Sequence, residues 1–171
     1  TSDLLPSDIL GVSVYEALED GRDFMFKDGN VAGERIERIS RDRVVGRRIT
    51  EVFPGVEDMG LLDVLRRVWK TGVAEDHPVS QYKDGRIVGW RENHVYRLPT
   101  GESVAVYDDV TVRKLAEEAL RESKEVLQAV LNAIPVRVFW KDKDLKLLGC
   151  NPPFARDAGF EKPEGDIGKE E

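Results

Sequence analysis

Few residues in this chain have the type and spacing for covalent chemistry. Its two histidines, His77 and His94, both fall in stretches that read as β-strands, with no acid and nucleophile placed around either as a dyad or triad would need. The one cysteine, Cys150, can form neither an internal disulfide nor a thiolate cluster for a metal. The paired acids Asp108-Asp109 and Glu117-Glu118 are better explained as a helix start and a solvated helix face. No glycine run sits between a strand and a helix with a lysine placed for phosphates. The chain is therefore expected to be no enzyme on its own, with no catalytic residues and no metal site. Binding is the better candidate. In the run Gly89-Trp90-Arg91-Glu92-Asn93-His94-Val95-Tyr96-Arg97-Leu98, strand alternation puts Trp90, His94, Tyr96 and Leu98 on one face. That face could line a ligand pocket with aromatic walls and a few polar handles. Plain core packing, with His94 hydrogen-bonded inside, is the better-favoured reading of that face.

Those residues need a sheet to hold them. Val12, Val14, Phe24 and Phe26 flank the turn-like Glu19-Asp20-Gly21, the pattern of two strands and a short turn. A short helix is expected within residues 30–39, and the run over 43–53 stops at Pro54-Gly55. Residues 59–70 carry Leu61, Leu62, Leu65, Val68 and Trp69 at helical spacing, with Gly72 as the C-cap. Strands are expected at 77–82, 87–98 and 103–107, joined by the turns Lys83-Asp84-Gly85 and Pro99-Thr100-Gly101. Two strands, small helices, a longer helix and three more strands make an α+β domain: an antiparallel sheet of about five strands with helices on one face.

The last strand runs without a break into VTVRKLAEEAL, and no glycine or proline follows before Pro135. Asp109 or Thr111 can cap this helix, since either side chain can accept from an orphan N–H. Leu120, Leu127 and Ile134 recur every seven residues, with Ala116, Ser123 and Val130 four before each, a weak heptad seam. At 1.5 Å per residue the helix is about 35 Å long. It is expected to project and pair with a second copy, a homodimer; the alternative is a single solvated helix laced by Glu–Arg and Glu–Lys pairs.

The 171 residues are 40% hydrophobic and 35% charged, with a net charge of -7. Such a charge argues against nucleic acid and against anionic membranes. No window is apolar enough to span a bilayer, and the N-terminus lacks the pattern of a signal peptide. A cytoplasmic location is expected.

The chain also echoes itself. Leu10-Gly11-Val12-Ser13-Val14-Tyr15 aligns with Ile134-Pro135-Val136-Arg137-Val138-Phe139, and Val44-Val45-Gly46-Arg47 with Asp166-Ile167-Gly168-Lys169. The second copy, FWKDKDLKLLGCNPPFARDAGF, resembles the opening of the PAS family of sensor modules through Lys141, Asp142, Asn151, Phe154 and Gly159, with Ile167-Gly168-Lys169 following. The first copy resembles a complete PAS domain, whose last strand ends in Asp109-Val110-Thr111 and whose linker begins Arg113-Lys114-Leu115-Ala116-Glu117-Glu118-Ala119-Leu120. It departs from the family in carrying Lys27-Asp28-Gly29-Asn30 where a clear Asn precedes the small helix, and Val112 where Glu is usual. The resemblance implies a lead-in at residues 1–8, a PAS domain at 9–110, a helical signalling linker at 111–134 and the truncated start of a second PAS domain at 135–171.

It further implies a sensory module that relays a signal through the linker to downstream PAS and kinase modules of a sensor histidine kinase in a two-component system. Asp109, Thr111 and Arg113 would transfer the signal, with Arg113 as an ion-pair partner at the joint. Trp90, His94 and Tyr96 would line the pocket. A ligand-free dimerisation scaffold is the alternative. The cofactor stays open, either none or a small ligand held non-covalently. Flavin photochemistry needs a cysteine that the first copy lacks, and haem usually needs a histidine on the long helix, where residues 59–70 have none.

Overall fold

A computed structural model describes residues 9–160, so Asp166-Ile167-Gly168-Lys169 and the lead-in at 1–8 lie outside the described residues. The chain divides into two compact units between Lys114 and Leu115. The first is built on β1 (Gly11–Ala17), β2 (Phe24–Gly29), β3 (Glu75–Lys83), β4 (Val88–Arg97) and β5 (Ser103–Asp109). These form one antiparallel sheet in the order β2-β1-β5-β4-β3, with β1 beside β5 although the whole helical region lies between them in sequence. Between β2 and β3 run α1 (Val31–Glu37), α2 (Ile49–Val52), α3 (Leu61–Thr71) and two short 3₁₀ turns. The expected α+β architecture with a five-stranded antiparallel sheet is what the chain forms.

The core follows from two periodicities. On α3, Leu61, Leu62, Val64, Leu65 and Val68 face inward, and Leu65 and Val68 are wholly buried. Burying each such side chain stabilises the fold by about 1.5–3 kcal/mol. Gly72 ends the helix at φ 73° while its N–H bonds the Val68 carbonyl at 2.8 Å, a left-handed cap that a side chain would strain. The helix begins two residues later than its apolar run, because Gly60 already sits at φ 87°. Opposite it, the sheet offers Tyr15, Val95, Ala105 and Tyr107 to the same cluster.

Helix α4 (Thr111–Ala133) follows β5 with one residue between them, and none of its residues is buried. Leu120, Val126, Leu127 and Val130 are all at least half exposed. Arg121 pairs with Glu125 at 2.9 Å on its surface. After it come a two-stranded sheet of β6 (Phe139–Lys141) and β7 (Leu147–Cys150), then α5 (Pro152–Asp157).

The two asparagines that start α1 and α5 have four hydrogen bonds in common. Asn30 Oδ1 accepts from the Val12 and Gly33 N–H groups at 2.9 Å each, its Nδ2 donates to the Leu10 carbonyl at 2.8 Å, and its N–H donates to the Val12 carbonyl. Asn151 Oδ1 accepts from Val138 and Phe154, its Nδ2 donates to Val136, and its N–H donates to Val138. Asn30 is thus the helix-leading asparagine that the first copy was expected to lack. The bonds also move the echo by two residues: Leu10 and Val12 correspond to Val136 and Val138, not to Ile134 and Val136.

Candidate functional site

Inside the first unit, a cavity of about 40 Å³ lies between the sheet and the helical segments. Its polar lining is Glu37 from α1, Arg91 and Asn93 from β4, and the tyrosines Tyr15, Tyr82 and Tyr107. The space is about that of one water in the liquid, far below the several hundred Å³ of a cofactor site.

Trp90, His94 and Tyr96 do not line it. They share a face of β4, as alternation required, but it is the outer one: Gly89, Arg91, Asn93 and Val95 are buried while His94 is exposed. Pairing sets the choice. Asn93 stands opposite Tyr107 and Val95 opposite Ala105, and the β5 residues point into the core, so their β4 partners must as well. His94 instead meets Asp76 across the surface at 2.5 Å and stacks at a tilt on Tyr96. His77 does face inward, with Nε2 at 3.0 Å from the Met59 carbonyl and 2.9 Å from Ser80 Oγ. Among the described residues no group of three or more His, Cys, Asp or Glu side chains is placed to hold a metal ion.

Alternation that carries Val95 inward also buries Arg91, a cost that partners must offset. Its side chain is only 4% exposed. Nε lies 3.2 Å from Glu37 Oε1, Nη1 lies 2.9 Å from Asp109 Oδ1, and the guanidinium also donates to the carbonyls of Ile36 and Trp90. The same Asp109 oxygen accepts from the N–H and the hydroxyl of Thr111. Thr111 Oγ1 in turn accepts from the Trp90 N–H at 2.8 Å, and Val110 N–H donates to the Trp90 carbonyl. Asp109 and Thr111 therefore do meet, and they join the first turn of α4 to β4. Arg113 stands apart from that cluster and pairs with Glu92 at 3.4 Å on the surface, while Arg91 takes the place at Asp109 expected for it.

Three members of the cluster escaped the sequence reading. Glu37 and Arg91 are ordinary surface types, and only strand register turns Arg91 inward. Gly89 leaves room for Arg91 and Thr111: a Cβ there would lie 2.5 Å from Arg91 Nη1 and 2.9 Å from Thr111 Oγ1, and both would have to shift. Burial pushes the Glu37 carboxyl above its usual range, with Arg91 acting against it. Asn93 Nδ2 and Ser103 Oγ, both buried, have no hydrogen-bond partner among the described residues.

No protein-family model matches the chain, and no curated protein matches it in sequence. Solved structures do match. An RNA-binding light-oxygen-voltage receptor aligns over 75% of this chain and 40% of its own length, at 18% identity and a TM-score of 0.50. A blue-light activated histidine kinase of Erythrobacter litoralis aligns over 68% of this chain and 40% of its own, at 18% identity and a TM-score of 0.49. The PAS domain of a nitrogen regulation protein from Vibrio parahaemolyticus aligns over 62% of this chain and 98% of its own, at 14% identity and a TM-score of 0.45. The sheet order and the helices between β2 and β3 complete the likeness. The chain has the PAS fold. Its PAS sheet forms one wall of the cavity, and the end of that sheet carries the Arg91–Asp109–Thr111 contacts. No helix among the described residues is long and apolar enough to cross a membrane.

Proposed function

We propose that the chain is a sensory PAS module, with its sensor at residues 9–110, its linker at 111–134 and the start of a second PAS domain at 135–171. A change in the cavity would be relayed through α4 to downstream PAS and kinase modules of a sensor histidine kinase. One observation carries this reading: Glu37 and Arg91 line the cavity, and Arg91 is bonded to the same Asp109 oxygen that holds Thr111 at the start of the helix. A displacement on the cavity side therefore reaches the helix through two polar contacts. Pairing of α4 with a second copy would then convert a shift at its first turn into a rotation within a dimer, and the exposed Leu120, Leu127 and Val130 supply the apolar residues for that pairing.

The small cavity favours a second reading, a PAS scaffold that holds partners at a set spacing and senses nothing itself. The two readings separate on Asp109→Ala in the full protein. A relay loses the dependence of output on input while the fold and the basal output remain. Regulation unchanged by the substitution would overturn the relay and leave the scaffold.

A further inference from the structure

Arg91 is claimed from two sides. Glu37 lies 3.2 Å from its Nε, and Asp109 lies 2.9 Å from its Nη1. The Glu37 side chain is 11% exposed and turned to the cavity, whereas that of Asp109 is 38% exposed and turned to Thr111. When two carboxylates share one buried cation, the charge on either alters how firmly the other is held. We propose that Glu37 is a proton-binding site whose occupancy is read by Arg91 and passed to the first turn of α4. This rests on the relay described above and names its input as the proton.

The chemistry is a single protonation. With Glu37 ionised, the guanidinium divides its charge between two anions. A proton taken from solvent onto the Glu37 carboxylate removes one of them, and the neutral acid is a weaker acceptor. Arg91 then serves Asp109 alone, and its firmer hold on the oxygen that Thr111 also uses alters the Asp109–Thr111 contacts.

The surroundings favour Glu37 as the group that titrates. Burial raises its proton affinity most, Arg91 lowers it as ion-pair and hydrogen-bond partner, Asp109 raises it and Arg86 lowers it. From β1, β3 and β5 it is faced by Tyr15, Tyr82 and Tyr107, whose hydroxyls burial already pushes above their usual range, with the Glu37 charge adding to the rise. These phenols stay protonated wherever a carboxyl changes state. Glu34 and Arg41 line the neighbouring hollow with Glu37, and Glu34 there accepts from the Arg41 N–H. Asp84, beside Tyr82, is pushed up by burial but held down more strongly by the Tyr82 hydroxyl and by the Ile87 and Arg86 donors, and at about 2 it stays ionised throughout.

The sign of the pH dependence follows. The folded chain keeps the Glu37 proton at pH values where the unfolded chain, at the ordinary 4.5, has released it. Folding stability therefore falls as pH rises from 4.5 through the raised folded value, and it is flat with respect to this group outside that window.

The test is an NMR titration of the whole chain from about pH 4 to pH 8, following the Glu37 side-chain carbon, the Arg91 Nε–H and the Thr111 amide. The expected result is one shared midpoint above 4.5 for all three. In Glu37→Gln, which keeps shape and hydrogen bonding, the Thr111 step should vanish. A Thr111 amide that does not titrate in the native chain, or keeps its midpoint in the Gln variant, overturns the proposal. Should the Gln variant fail to fold, Glu37→Asp retains an acid on a shorter stem and should move the Thr111 midpoint, whereas an unmoved midpoint overturns it. The outcome is separable from that of the relay. A titrating Thr111 with unaltered regulation in Asp109→Ala sinks the relay and keeps the proton site. A silent Thr111 with lost regulation in Asp109→Ala does the reverse.

Discussion

The two faces of β4 carry side chains of nearly opposite character to the ones their positions suggest. Outward go Trp90, His94 and Tyr96, two of them large aromatics; inward go Gly89, Arg91, Asn93 and Val95. An aromatic face is the usual guess for a pocket wall, yet here β4 gives the wall a guanidinium and an amide. The difference is one of setting, because the inner face holds its charge out of water and the outer face does not. A charge held in a dry, fully bonded setting responds strongly to any change in its partners, whereas the same charge in water hardly responds at all.

The sharpest way to break the inner face is to remove its cation. Arg91→Met keeps much of the volume but leaves Glu37 buried with no counter-ion and frees Asp109. Stripping one partner from a buried pair costs about 3–5 kcal/mol. The loss should be largest near neutral pH and shrink as the pH is lowered, because Glu37 can then take a proton and cease to be an uncompensated charge. Chemical denaturation at several pH values reads this directly. A pH-independent loss would mean that Arg91 matters for packing and not for charge.

That face was hidden in the sequence for a physical reason. Alternation fixes which residues of β4 travel together, and the grouping of Trp90, His94 and Tyr96 was legible from it. It does not fix which group turns inward. The decision lies in the register with β5, where Asn93 meets Tyr107 and Val95 meets Ala105, and Ser103-Val104-Ala105-Val106-Tyr107 reads as plausible core on either face. Five strands, the amphipathic α3 with its Gly72 cap, and the strand-to-helix passage through Asp109 and Thr111 could all be seen, since each is written in local spacing. Glu37 and Arg91 are 54 residues apart and meet only when α1 closes over the sheet. Asn30 was missed for a subtler reason: its match, Asn151, lies at a different distance from its own strand, 13 residues from Val138 as against 18 from Val12. The bonds are the same, but the intervening turns differ in length.

A milder probe touches the inner face without removing any of its charges. Gly89→Ala would place a methyl group 2.5 Å from Arg91 Nη1 and 2.9 Å from Thr111 Oγ1, so both groups must shift. The expected cost is about 1–3 kcal/mol, the range for forcing extra volume into a packed site. Its location is the informative part. Hydrogen exchange at the first turn of α4 should speed up at Thr111 and Lys114 while amides on β1 and β2 keep their protection. Uniform loosening across the sheet would show that Gly89 supports the whole fold, and not the joint.

The outer face supplies the control. His94 and Asp76 are 2.5 Å apart and look on distance alone like a stronger pair than Arg91 and Glu37 at 3.2 Å. Their side chains are 51% and 86% exposed, however, so water screens the attraction and competes for both partners. His94→Ala should therefore change stability by less than about 0.5 kcal/mol and leave the Thr111 amide where it was. A thermal melt and one spectrum suffice to check it. Should His94→Ala instead shift the Thr111 resonance, the outer face would also be coupled to the helix, and burial would no longer separate the two faces.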